Sequence, residues 1–165
     1  MENAVQALLI AAGVLIGIMI LTLGVSLYSS LGSYIETTQE SIISKQTQAF
    51  NTQFLKYINC DSSGNIDFTL TIQDIVTAAS TAYESNKKYG LDSYSNNNYY
   101  VTINMPGETN LEQSINTRLE EILKKGYVED SGKLKTVEYK CTINNIKVNP
   151  TTGRVYEVTF VKIGP

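Results

Sequence analysis

The sequence predicts an α+β protein: one long N-terminal helix, then a small antiparallel sheet with two packed helices. Three observations carry this. From Asn3 through Ile35 there is no Asp, Glu, Lys or Arg. Beyond that stretch, apolar residues continue at helical spacing as far as Tyr57, and no proline interrupts before Pro106. The remainder, about 105 residues and enough for one small core, alternates helical and strand-like patterns punctuated by glycine. The expected organisation is a helical stalk over residues 1–58 and an α+β head over 59–165.

The first half of the helix is apolar on every side. From Ala4 to Tyr28 only Gln6, Thr22 and Ser26 are polar, and about 20 such residues cross the hydrocarbon core of a bilayer. Tyr28 and Tyr34 follow, where amphipathic rings favour the water interface. A secretory signal needs a basic start and a shorter apolar core, so a retained span is expected over a cleaved signal. Small residues recur at intervals of four and seven: Ala7 and Ala11, Gly13 and Gly17, then Gly24. Read as one stripe, they would let a second helix approach closely and favour self-association.

The second half is amphipathic. Leu31, Ile35, Ile42, Ile43, Phe50, Phe54 and Tyr57 share a helical period, with Thr, Gln, Glu, Ser and Lys opposite. A single helix from about residue 3 to 58 would measure roughly 80 Å; the alternative is two helices hinged at Gly32.

In the head, Thr71 and Asp74 form a capping-box start, Ile72, Ile75, Val76, Ala79 and Tyr83 supply an apolar face, and Gly90 stands where a C-terminal cap belongs. A polar loop, DSYSNNN, precedes a strand predicted over Tyr99–Asn104. Asn110 opens a further helix that Gly126 closes, with Leu111, Ile115, Leu119, Ile122 and Leu123 facing inward. The end reads as a hairpin: Lys135–Val148, a turn over Asn149–Gly153, then Arg154–Ile163. A short strand at Ile66–Leu70 is also expected.

Composition excludes several chemistries. The chain of 165 residues has no His and no Trp, so imidazole bases and His-ligated metals are ruled out. A net charge of −3 with 13 thinly spread basic residues argues against a nucleic-acid surface. No phosphate-binding, dinucleotide-binding or nucleophile-elbow motif occurs, and neither a catalytic residue nor a small-molecule substrate is expected. Neighbouring carboxylates such as Glu120 and Glu121 read as solvated surface. The abundant tyrosines in strands and loops (Tyr94, Tyr99, Tyr100, Tyr139, Tyr156) suit either an adhesive face or half-buried strand filling, the latter being favoured.

Two clusters carry weaker chemical signals. Cys60 and Cys141 would, as a disulfide, tie the end of the stalk to the head across a loop of about 80 residues; the alternative is two unpaired thiols. Asn59, Asp61, Ser63 and Asp67 stand at the oxygen-ligand spacing of a calcium loop. Leu70 occupies the place of the bidentate glutamate, however, and an Asx/Gly turn explains the same residues. No cofactor is therefore expected, calcium being the one alternative.

The apolar-then-amphipathic helix over residues 3–58, its small-residue edge and the small α/β head resemble the type IV pilin and pseudopilin architecture. The resemblance implies a non-enzymatic subunit of a cell-surface filament or membrane assembly, with helices bundled in the core and heads exposed. The chain departs from that family in two places. No basic leader ending in glycine precedes the apolar run, and Val5, Gln6 and Ala7 stand where the family carries an early glutamate. The alternative is a single-pass membrane-anchored protein whose extracytoplasmic head binds a protein partner. Both readings place the chain at the cell membrane or surface.

Overall fold

The computed structural model describes residues 2–61, 63–91 and 99–163. The chain forms a long N-terminal helix followed by small sheets and shorter helices, an α+β fold. It divides into two compact units, Met1–Lys45 and Gln46–Pro165. Helix α1 spans Glu2–Leu55 and runs unbroken through Gly32, since an isolated glycine costs a helix only about 1 kcal/mol. Two i→i+3 bonds tighten its end, Tyr57 N to Phe54 O at 3.1 Å and Ile58 N to Leu55 O at 3.1 Å.

In the second unit, helix α2 covers Ile72–Lys88. Asp74 accepts hydrogen bonds from Thr71 N at 2.8 Å and Thr71 Oγ1 at 2.9 Å, tying off the first turn. At the other end Gly90 adopts φ +66°. There Gly90 N reaches Lys87 O at 3.0 Å and Leu91 N reaches Asn86 O at 2.9 Å, the paired bonds of a Schellman cap. Ile72, Ile75, Ala78, Ala79 and Ala82 are buried along one face. The loop expected at DSYSNNN, Tyr94 included, lies outside the described residues.

Strand β1, Thr102–Asn104, is shorter than predicted. The helix expected from Asn110 to Gly126 is two pieces, α3 (Leu111–Ser114) and α4 (Leu119–Lys124). Between them Thr117 turns both its N and its Oγ1 onto Ser114 O at 3.1 Å, a side-chain competition for the backbone that disfavours continued helix. Arg118 is the break, held by Glu108 and Glu121 at 3.0 and 2.6 Å.

Next comes a hairpin that the sequence reading missed, β2 (Tyr127–Asp130) with β3 (Lys133–Thr136). Its residues are all exposed, so no hydrophobic alternation marks it. The signal lies in Ser131 and Gly132, both at positive φ (54° and 79°), as two-residue hairpin turns require. The long strand expected over Lys135–Val148 is likewise divided, into the end of β3, β4 (Tyr139–Lys140) and β5 (Ile146–Val148). Asn145 Oδ1 accepts bonds from Thr142 N at 3.0 Å and Thr142 Oγ1 at 2.6 Å, winding Ile143–Asn145 into a 3₁₀ turn.

The terminal hairpin forms as expected. β5 pairs antiparallel with β6 (Val155–Thr159), and Asn149 Oδ1 organises the turn by accepting from Thr151 N at 2.8 Å and Thr152 N at 3.1 Å. β4 pairs antiparallel with β7 (Val161–Lys162). β1 lies on the other side of β6 and runs parallel to it, with Ile103 opposite Val158; the intervening α3 and α4 supply the crossover that parallel pairing needs. Ile66–Leu70 contributes single bridges, Ile66 to Cys60 and Leu70 to Tyr139.

One core joins these pieces. Phe54 and Tyr57 from the end of α1, the apolar face of α2, and Ile103, Val158 and Phe160 from the sheet are buried together. Gly126 packs directly against this core: a Cβ there would lie 2.2 Å from Ile72 Cγ2.

Candidate functional site

The feature that sets this chain apart is the surface of α1 in the first unit. It is long and apolar enough to cross a membrane, and none of its most apolar window is buried. Leu8, Leu9, Ile10, Leu21 and Val25 are each about 70% exposed, far beyond the scattered apolar residues of an ordinary surface. Within the apolar run, Thr22 bonds back onto the helix itself: its Oγ1 donates to Ile18 O at 2.7 Å. Such back-bonding leaves the Thr22 hydroxyl proton paired in hydrocarbon.

A Cβ built at Gly13, Gly17 or Gly24 meets nothing within 4 Å. At about 100° per residue these three glycines fall within an arc of roughly 40°. Ala7 and Ala11 share a separate edge, roughly a quarter-turn or more away. The small residues thus mark two edges of α1, and the glycine edge is the flatter and longer one.

The calcium-loop residues do not converge. Asn59 is fully buried and binds protein on every side: Nδ2 donates to Phe68 O at 2.7 Å and Tyr139 O at 3.1 Å, and Oδ1 accepts from Cys141 N at 2.7 Å. Asp61 Oδ1 accepts from Ser63 N and Asn65 N, both at 2.8 Å, and Oδ2 accepts from Asn65 Nδ2 at 2.9 Å. These bonds hold the Asp61 carboxyl below its usual range. Ser63 and Asp67 are exposed. The segment is an Asx turn followed by a backbone clasp, and no cluster of three acidic or sulfur ligands exists among the described residues.

Cys60 and Cys141 are both buried and carry free thiols. The two chain segments are neighbours through Asn59, whose N donates to Cys141 O at 3.0 Å. Burial, with a smaller contribution from Cys60, pushes the Cys141 thiol up to about 12.

Three features were invisible to sequence reasoning. Glu112 is 1% exposed; its Oε2 accepts from Ile103 N at 2.8 Å and its Oε1 from Tyr100 OH at 3.0 Å. Desolvation raises its pKa above the usual range despite those bonds. Glu108 gathers Arg118 and Lys125, which pull its pKa down. Arg154 is almost wholly buried against aromatic rings. Periodicity cannot find such residues, because each looks like a surface charge until the fold encloses it. Of the tyrosines, Tyr100 and Tyr139 are buried while Tyr99 stays exposed.

Comparison with protein-family models, curated proteins and solved structures found no match to this chain.

Proposed function

We propose that the chain is a non-enzymatic, pilin-like structural subunit of a cell-surface filament or membrane assembly. The first unit's helix packs against copies of itself, and the head is displayed outside the cytoplasm. The observation that carries this reading is the charge-free, uniformly exposed length of α1 with an open glycine edge at Gly13, Gly17 and Gly24. In lipid, apolar surface alone gives helices no reason to associate; small residues do, by allowing backbones to approach closely. The absence of His and the structural use made of the buried Glu112 support a non-catalytic role.

Gly13→Leu and Gly17→Leu test the reading. Each variant should still enter the membrane fraction but lose self-association, followed by cross-linking in membranes and electron microscopy of sheared material. Wild-type assemblies from both variants would overturn it. A wild-type chain that is monomeric in detergent and in membranes would favour the alternative, a membrane-anchored head that binds a protein partner.

A further inference from the structure

Neither β2 nor β3 contributes to the core, and every residue of both strands is exposed. Residues opposite each other in an antiparallel pair alternate between bonded and non-bonded pairs. Val137 N donates to Gly126 O at 2.8 Å, so Gly126 and Val137 form a bonded pair. Along the register, Val128–Lys135 and Asp130–Lys133 are then bonded as well. Tyr127 and Glu129 on one edge, and Leu134 and Thr136 on the other, therefore turn their N–H and C=O outward. None of these groups has a hydrogen-bond partner among the described residues. Such a row of open groups is a template for another strand.

The two edges are complementary to each other and not to themselves. β2 carries Glu129 and Asp130, and β3 carries Lys133 and Lys135. Lys135 bridges Asp130 within the hairpin, while Glu129 and Lys133 have no ion-pair partner among the described residues. A second β3 laid antiparallel along β2, in the register the hairpin already uses, sets Asp130 opposite Lys133 and Glu129 opposite Leu134. Two β3 edges paired through both outward residues would instead set Lys135 on Lys135. Two β2 edges would gather four carboxylates along one seam, and like charges facing across strands destabilise. Lysine on an edge usually keeps strands apart; against an acidic edge it selects the partner. Leu134 adds apolar contact. At 77% exposure it is the most exposed large apolar side chain among the described residues of the second unit. It shares a face with Tyr127, so the repeated register alternates the two in a stripe across neighbouring hairpins.

We propose that the open edges of this hairpin pair between copies of the chain, β2 of one copy against β3 of the next, extending one antiparallel ribbon through the assembly. The contact is heterologous, and each copy keeps a free edge for its next neighbour. Edges this short bind weakly by themselves; copies anchored side by side supply the effective concentration that makes the contact hold. That proximity is the one thing taken from the assembly reading.

In this register Val128 of one copy faces Lys135 of the next as a non-bonded pair, the arrangement that brings side chains closest. Val128→Cys and Lys135→Cys chains, carrying different tags, are expressed together and oxidised with diamide in membrane vesicles. Wild type, whose two thiols are buried, is the blank. The mixed adduct should dominate, with each variant alone giving little. Leu134→Pro in the Lys135→Cys copy should abolish it, because proline removes an outward N–H and leaves the hairpin's inward bonds intact. Leu134→Val should retain it. No mixed adduct, or like adducts of either variant at equal yield, would overturn the proposal. So would a Leu134→Pro chain that cross-links as well as the Leu134→Val one. Amine cross-linking of the wild type follows assembly separately: assemblies without the mixed adduct overturn the edge pairing alone, and monomers overturn both readings.

Discussion

Glu112 and Gly126 illustrate how single residues constrain this head in ways their neighbours in sequence do not announce. Burial disfavours the ionised form of Glu112 and raises its pKa in the folded chain. The folded state therefore holds that proton more tightly than the unfolded state, so the group's contribution to stability is full at low pH and is lost as pH rises through the folded value. The lowered carboxyls of Glu108, Glu121 and Asp130 act in the opposite sense, losing stability as pH falls. Glu112→Gln isolates the first effect, because glutamine resembles the protonated acid. Urea unfolding from about pH 4 to 8 should find variant and wild type close at the acid end, with the variant relatively more stable as pH rises. A difference independent of pH would count against a strained carboxylate. Gly126→Ala places a methyl against the buried Ile72, and overpacking of this kind costs about 1–3 kcal/mol. The unfolding midpoint should drop accordingly, with partial recovery when Ile72→Ala is added.

Elements in the head are fastened by asparagine side chains that imitate strand edges. Asn51, on the last turns of α1, accepts from Val155 N at 2.9 Å and donates to Gly153 O at 2.7 Å. Asn59 does the same between the segment after α1 and the chain from Tyr139 in β4 to Cys141 just beyond it. These bonds satisfy backbone groups that short, two- or three-residue strands would otherwise leave unpaired. Asn59→Leu leaves the Phe68 carbonyl and the Cys141 N–H without their partner, while the Tyr139 carbonyl keeps Leu70 N at 3.4 Å, and each buried orphan costs about 1–3 kcal/mol. We expect a loss of about 3 kcal/mol or more, measured by denaturant unfolding, against about 1 kcal/mol for Asn51→Ala at its half-buried site. Equal small effects would mean that the clasp is dispensable. At this scale α2 was legible in full, since a cap, an amphipathic face and a terminal glycine agree. The β2–β3 hairpin and the α3–α4 break were not, because exposed strands carry no hydrophobic period and the break at Arg118 depends on Glu108, ten residues earlier in sequence.

The two units pose different problems to water. The second buries a continuous core; the first has none of its most apolar window buried, so its stability must come from a lipid or protein environment outside the chain. The small residues of α1 lie on two separate edges, and only one of them need be the packing face. If the glycine edge is the packing face, Gly13→Leu and Gly17→Leu should disrupt self-association far more than Ala11→Leu on the other edge. Equal losses would point instead to a general requirement for a slender helix.

The sequence by itself determined the long helix, its charge-free half, the capped α2 and the terminal hairpin. Each of these rests on local spacing, which composition and periodicity report directly. Only the tertiary structure decided that Asn59 is a core clasp, that β1 runs parallel to β6, that Glu112 is enclosed, and that Arg154 is buried against aromatic rings. The reason is physical: burial and pairing belong to contacts between distant segments, and a polar residue's role changes when those contacts remove it from water.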